Sequence, residues 1–504
     1  MVILSAWAVS FGWLVKREFF RTTGERLAEA ALAVPPGTVF FRLDLAGHQV
    51  GFASTTVDTV GTALRVTDVL LLEFPVLGRM HRMRARSRAV VSRALRLQTL
   101  DVLFDGDEGR LAAHGEVQGD SVLRVTLVSA GDSQATRLRL LQPIVVTTLL
   151  PLRLAFGSAL KPGRKFGTRV FDPLELAERD VSGTIAAEST LVVADSAGFD
   201  STAAAWTAAR FDTVRAFRIE ERSEGLTTNV WIDAQGRIVR VTGPVGLTLE
   251  RTAYEIAYYN FRRRDPSRLV RASARPGPGA VIASTALAAG VALPTRSRAG
   301  YRAVLTGVDL SALDLMGGRQ ERAGDTLIVR RETAAALAAA YPLPARDSSL
   351  APWLAAHPLI QSADPGIRTA GHEIVGDERD PTRAAERLTH WVAAHVRKDA
   401  TVGLPNAVRV LAQRRGDCNE LTVLYVALAR AVGLPARPVA GLLDVSGRFY
   451  YHAWPEVYLG GWVAVDPMLD QFPADAAHLR FIVGGLARQA QLIRFIGRLK
   501  LEGL

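Results

Sequence analysis

The sequence holds one cysteine in 504 residues, Cys418. A single thiol makes no internal disulfide and no cysteine-rich zinc site. It leaves the redox compartment open, but any cysteine nucleophile of this chain is Cys418. Other signatures are missing too. There is no G-x-S-x-G elbow, no P-loop and no dinucleotide-binding glycine fingerprint. "GHEIVGDE" contains His372 and Glu373 without the second histidine of a zinc H-E-x-x-H helix. Long apolar runs are scarce. Residues 2–15 are uncharged and mostly apolar, but a full membrane span takes about 20 residues. This run lacks the basic start and small-residue cleavage site of a secretory signal, and Lys16, Arg17 and Arg21 follow it. It reads as a buried first helix or as a membrane anchor; Trp7, Trp13 and its terminal position favour the anchor. Acidic residues are in deficit, 50 against 61 Lys and Arg, a formal net charge of +11. That favours anionic partners. The arginines are scattered and no groove-reading motif accompanies them, so nucleic acid is not expected.

What is present is a globular composition, 48% hydrophobic and 22% charged, on a chain long enough for two to four domains. Residues 38–259 alternate apolar and polar positions between glycine-containing turns, as in "TVFFRLDLAGHQVGFASTTVDTVGTALRVTDVLLLEF". This is the pattern of a long antiparallel β region. "DAQGR" reads as a turn between two of its strands. "LLPLRLAFGSALKPGRKFGTRVFDP" resembles a periplasmic β-fold in which a leucine- and glycine-containing turn leads into a strand, which would make this stretch a turn and a strand. "HRMRARSR" sets Arg82, Arg84, Arg86 and Arg88 at period two. On a strand all four share one face, either solvated or anion-binding. "RRRDPSRLVRASARPGPGA" reads as a linker, and "YRAVLTGVDL" and "GDTLIVRRE" as a small β segment after it.

After Asp364 the periodicity turns helical. Asp380 and Pro381 are a cap and a first helical residue, and Leu388, Trp391, Val392, His395 and Val396 make one face. "LPNAVRVLAQRRG" predicts a shorter helix ended by Gly416. A third helix begins at Cys418, carries Leu421, Leu424, Tyr425, Leu428 and Val432 as its apolar stripe, and stops at Gly433-Leu434-Pro435.

A cysteine at a helix start is either a packed small hydrophobe or a nucleophile. The helix N-terminus favours a thiolate, and Asp417 and Glu420 oppose it. A nucleophile needs a base, and the base an orienting partner. Downstream, "GRFYYHAWPEVYLGGWVAVDPMLDQF" reads as two strands around Gly460-Gly461. A three-residue loop, 459–461, would set Tyr458 opposite Trp462 and make His452 and Asp466 diagonal neighbours on one face. A loop one residue shorter would put them on opposite faces. Each residue also has a plain role, as packed thiol, core histidine and turn aspartate. The case for chemistry is their order: helix-start Cys, strand His, strand Asp.

"GDCNELTVLYVALARAVGLPARPVAG" followed by "YYHAWPEVYLGGWVAVDP" resembles the core of the transglutaminase-like superfamily of cysteine enzymes. The resemblance covers about residues 370–485. It implies Cys418 as nucleophile, His452 as base, Asp466 as orienting acid, and a papain-like fold with the Cys helix packed on an antiparallel sheet. It implies no cofactor, and no calcium-binding cluster is evident. Met468 stands where many relatives carry a small polar residue. Gln413, Asn406 and Trp391 are the candidates for the oxyanion side chain. The expected fold class is α+β. Residues 1–25 are expected to form an anchor or signal-like helix, 26–262 a β-rich domain, 263–365 a linker and small β segment, and 366–504 the transglutaminase-like catalytic domain. The expected activity is on amide bonds through a thioester, as protease, amidase or acyltransferase. The alternative is a non-catalytic binding or scaffold module of the cell envelope. The expected partners are a peptide or protein substrate, with the cell envelope as one source, and, through the N-terminus, the membrane, with the body periplasmic or otherwise extracytoplasmic.

Overall fold

The computed structural model describes residues 36–265 and 298–503, apart from short stretches within them. The apolar run at 2–15 and most of the 262–280 linker lie outside the described residues. Fourteen strands between residues 37 and 252 form one antiparallel sheet. The first eight make a meander running outward from Gly37–Leu45 to Asp132–Arg139. The last six make a second meander from Lys165–Asp172 back to Leu247–Thr252. The two meet where the first strand pairs with the last, Phe40 opposite Thr252 and Leu45 opposite Leu247. Alternation chooses the buried face: Val39, Phe41 and Leu43 of the first strand point inward.

The connection between the meanders differs from the sequence expectation. Leu150–Gly157 is a helix, and only Lys165–Asp172 is a strand. Its leucines have apolar surface to meet on both sides. Leu152 packs with Val66, Leu100 and Leu123 of the first meander, while Leu150 and Leu154 pack with Val170, Ile185 and Phe217 of the second. Tertiary burial of this kind, more than propensity, decides short helices. The "DAQGR" turn sits against this helix. Asp233 accepts the N–H groups of Gln235 and Arg237, and Gly236 holds φ at 72° where a Cβ would come within 2.8 Å of Leu152 Cα.

Arg82, Arg84, Arg86 and Arg88 lie on the strand Arg79–Val91, all exposed on one face. Carboxylates stand across from three of them: Glu73 opposite Arg82, Asp105 opposite Arg84, and Asp101 opposite Arg88. The face is a mixed-charge surface of the kind cross-strand pairing stabilises.

The C-terminal elements carry the site. Helices α1 (Pro365–Val375), α2 (Pro381–His395), α3 (Ala407–Gln413) and α4 (Cys418–Ala431) pack with an antiparallel sheet of β1 (Ala436–Val445), β2 (Arg448–Tyr458), β3 (Trp462–Ala464) and β4 (His478–Val483), in the order β3-β2-β1-β4. Asp364 and Asp380 cap α1 and α2 through side-chain oxygens. Helix α4 is buried nearly all round, as a helix through the middle of a core must be. In β2, Glu456 is clamped by Arg437 and Arg480 and is 1% exposed. Helix α3 stops at Gln413, short of the expected Gly416. Arg414 takes a left-handed φ of 55°, and Arg415–Gly416 instead pairs in parallel with Arg397–Lys398. Gly416 serves close approach: a Cβ there would lie 2.6 Å from that of Glu420.

The segment ahead of these helices also belongs to this packing. Gly300–Thr306, Gln320–Ala323 and Thr326–Arg330 form a small sheet with Lys500–Gly503. Its Tyr301, Ala303 and Leu327 share one apolar cluster with Cys418, Ala453 and Leu479.

Candidate active site

Asp417 starts α4 with a capping box. Its carboxylate accepts the N–H groups of Asn419 and Glu420, and Glu420 accepts the Asp417 N–H at 2.9 Å. Glu420 is itself buried and paired with Arg409 of α3 at 3.2 Å. Cys418 is therefore the first residue of a helix whose terminal N–H groups are already engaged by a carboxylate. Its sulfur accepts the backbone N–H of Ala453 in β2, and the residue is 2% exposed. Burial pushes the thiol well above its usual range, and Asp417, Asp466 and Glu420 push it further. Burial and the neighbouring acidic groups thus oppose the thiolate that the helix terminus favours. Tyr451 lies beside the thiol. Burial first, then the neighbouring Cys418 and Asp417, hold its phenol well above the usual value. Its hydroxyl bonds Asn419 Oδ1 at 3.0 Å and Gln489 Oε1 at 2.8 Å.

His452 stands in the middle of β2, fully buried. The hairpin pairs Tyr458 with Trp462, the register of the three-residue loop. That register sets His452 and Asp466 diagonally, with His452 Nε2 2.8 Å from Asp466 Oδ2. Trp454 stacks on the imidazole at 5.8 Å between centroids. Among the described residues His452 Nδ1 is buried without a hydrogen-bond partner. Asp466 is also the turn residue its Pro467 suggests: its Oδ1 accepts the N–H groups of Met468 and Leu469. Burial pulls its carboxyl up, but His452 and then His478 pull harder and hold it far below the usual carboxylate range.

His478, at the start of β4, was not among the sequence candidates. Its Nε2 is 2.9 Å from Asp466 Oδ2, and its Nδ1 is 3.1 Å from both the carbonyl and Oδ1 of Asp475. Burial pulls this imidazole down; its bonds to Asp466 and Asp475 prevail and hold it at about 9. The signal would have been the pairing of β4 with β1, Leu443 opposite His478, which joins strands distant in sequence. The three oxyanion candidates are engaged elsewhere. Asn406 caps α3 by accepting the Arg409 N–H, Trp391 packs between His395 and Arg414, and Gln413 is exposed at the helix end.

Ligand atoms of His452, Asp466 and His478 lie within 4.8 Å of one another. Their facing atoms are spent on each other. Both Nε2 atoms meet the same carboxylate oxygen at hydrogen-bond distance, and His478 faces an acceptor at each nitrogen. The group is a hydrogen-bonded chain, not a set of free lone pairs.

Residues 368–467 match the transglutaminase-like superfamily, a span that takes in Cys418, His452 and Asp466 and ends before His478. An uncharacterized protein of Haemophilus influenzae is 29% identical over 155 residues, with 23% of this chain aligned. The chain spans 40% of that relative's length. Two solved structures are similar at a TM-score of 0.28 each. One is a proposed cysteine protease from Cytophaga hutchinsonii, 16% identical, over 41% of this chain and 82% of the other. The second is a β-barrel-like protein from Brucella abortus, 11% identical, over 43% of this chain and 96% of the other. The chain thus contains, at residues 368–467, a domain of the transglutaminase-like superfamily.

Proposed function

We propose that the chain is a cysteine-nucleophile enzyme acting on amide bonds through a thioester, with Cys418 as nucleophile, His452 as base and Asp466 as orienting acid. One observation carries this reading. Asp466 holds one nitrogen of His452, while the other is buried and unpartnered among the described residues, one position along β2 from the N–H that meets the Cys418 sulfur. A core histidine has no reason to leave a buried nitrogen unpaired, since that costs about 1–3 kcal/mol. A base has one.

In this reading the thiol is neutral at rest. As sulfur attacks the carbonyl carbon, its proton passes to His452 Nδ1 and the carbonyl oxygen takes the charge. The C–N bond then breaks, His452 gives the proton to the leaving amine, and the acyl group remains on sulfur as a thioester. Water or an amine releases it, giving hydrolysis or transamidation. With this activity go the papain-like α+β arrangement of residues 366–504, a peptide or protein substrate, and a body outside the cytoplasm held by residues 1–25. Among the described residues no helix is long and apolar enough to cross a membrane. A C-terminal reporter active only in the cytoplasm would refute that placement.

The burial of Cys418 favours a second reading, a non-catalytic binding or scaffold module. Acylation separates the two. A small activated ester such as p-nitrophenyl acetate should give a burst of nitrophenol and an acetyl group on Cys418. The rate should fall about 100-fold or more in His452→Ala. Equal rates in the two proteins would favour the scaffold.

A further inference from the structure

We propose that His478 is a positioning residue of this site, a buried cation clamped between Asp466 and Asp475 that fixes the Asp466 carboxylate and tautomer of His452. The proposal rests on the triad reading above and extends it to a residue beyond the matched superfamily span.

The hydrogen-bond geometry carries it. A carboxylate offers about four lone-pair sites. Asp466 fills them with four donors: the N–H groups of Met468 at 2.8 Å and Leu469 at 3.1 Å on Oδ1, and the Nε2 atoms of His452 and His478 on Oδ2. Two rings that meet one carboxylate oxygen must both donate to it. His452 therefore carries its hydrogen on Nε2 and its lone pair on Nδ1, the tautomer a base needs. The other nitrogen of His478 faces the Asp475 carbonyl, which only accepts, and the Asp475 carboxylate. That nitrogen donates as well, and a ring donating at both nitrogens is an imidazolium.

The surroundings fit a cation. Among the described residues the titratable groups bonded to or packed on the ring are Asp466, Asp475 and His452, and Trp454 packs on it in a T-shaped contact at 5.2 Å. Arg319 donates to the Asp475 and Ala474 carbonyls, and its own charge is taken by Glu332. Two effects on the reaction follow. The fourth donor stops the Asp466 carboxylate from turning away from His452. The positive charge also offsets Asp466, so a proton taken by His452 is held less firmly than beside a lone carboxylate and passes more readily to the leaving amine.

The test uses the full chain. Histidine-ring NMR on the wild type should show one ring protonated at both nitrogens at pH 7.5, with slowly exchanging N–H signals, absent from His478→Gln. The rate of Cys418 acetylation is then followed against pH. His478→Gln keeps one donor to Asp466 and removes the charge; its acid limb should move up by about one pH unit with the plateau changed only a few-fold. His478→Phe also removes the donor, and its plateau should drop about 10-fold or more. A merely structural histidine would lower the plateau in both variants and leave the limb in place, which would overturn the proposal. So would a neutral His478 ring at pH 7.5. If the ring is charged but acetylation ignores both His452→Ala and His478→Gln, the triad itself is refuted and the positioning role falls with it.

Discussion

Alkaline pH should loosen the C-terminal helices and sheet well before ordinary alkaline denaturation. In the folded protein His478 is held at about 9, against about 6.5 for a free histidine. A group raised on folding contributes its stability fully below the unfolded value and loses it as pH rises through the folded one. The window is therefore about pH 6.5 to 9, and the loss across it is about 3 kcal/mol at 1.36 kcal/mol per unit. Asp466 and Asp475 run the other way. Both are held low, so their contribution is present above about pH 4 and fades as pH falls. Asp417 opposes them: its burial holds its carboxyl well above the usual range, so its contribution is present at acid pH and fades as pH rises above about 4. The raised Cys418 thiol adds a separate alkaline loss that begins only above about pH 8.5, where an unfolded thiol ionises. Cys418 also supplies the assay. As the only cysteine, and a buried one, it reports unfolding of this part of the chain alone. Pulse alkylation across a urea series at pH 6, 7, 8 and 9 gives the midpoint at each pH. Between pH 6.5 and 9 wild type should lose midpoint more steeply than His478→Gln, which should start lower. A flat wild-type curve, or the same slope in the variant, would refute the charge assigned to His478.

Three further outcomes are expected. Gly441→Ala places a Cβ 1.9 Å from the Leu479 carbonyl, so β4 must move off β1 and take His478 with it; urea unfolding should show a loss of about 3 kcal/mol or more and acetylation of Cys418 should slow. Asp417→Ala removes the α4 cap and one of the carboxylates that raise the thiol; stability should drop by about 1 kcal/mol while the pH midpoint of Cys418 alkylation moves down, and a midpoint that stays or rises would contradict the electrostatic account. Glu456→Leu leaves Arg437 and Arg480 buried without their shared carboxylate, and thermal denaturation should register a cost of about 3–5 kcal/mol.

The sequence makes local features easy to read and distant ones hard. Asp380-Pro381 announces a helix start because a cap acts on the next three residues, and the structure uses it so. Gly460-Gly461 announces the hairpin, and its three-residue loop then determines that His452 and Asp466 meet. Gly416 misleads, because a glycine after an apolar run also suits a close contact, here with Glu420. The leucines at 150–154 mislead because their helix depends on two sheet faces assembled from remote strands. The thiol environment was half legible: Asp417 and Glu420 are neighbours in sequence, while Asp466 and the burial of Cys418 come from the tertiary fold. His478 was invisible for the same reason, since it reaches Asp466 only through the pairing of β4 with β1.

The junction of the two N-terminal meanders has a consequence for how the chain folds. Within each meander every strand pairs with its sequence neighbour, so both can zip from hairpins. The contact between Phe40 and Thr252 closes a loop of some two hundred residues. Relative to a ten-residue hairpin, that closure costs about 2–3 kcal/mol more chain entropy. The order of events is then two independent meanders first and their docking second, with the leucine helix packed between them. A chain opened between the meanders would make one sheet into two pieces, held together along the Phe40–Thr252 edge and by that helix.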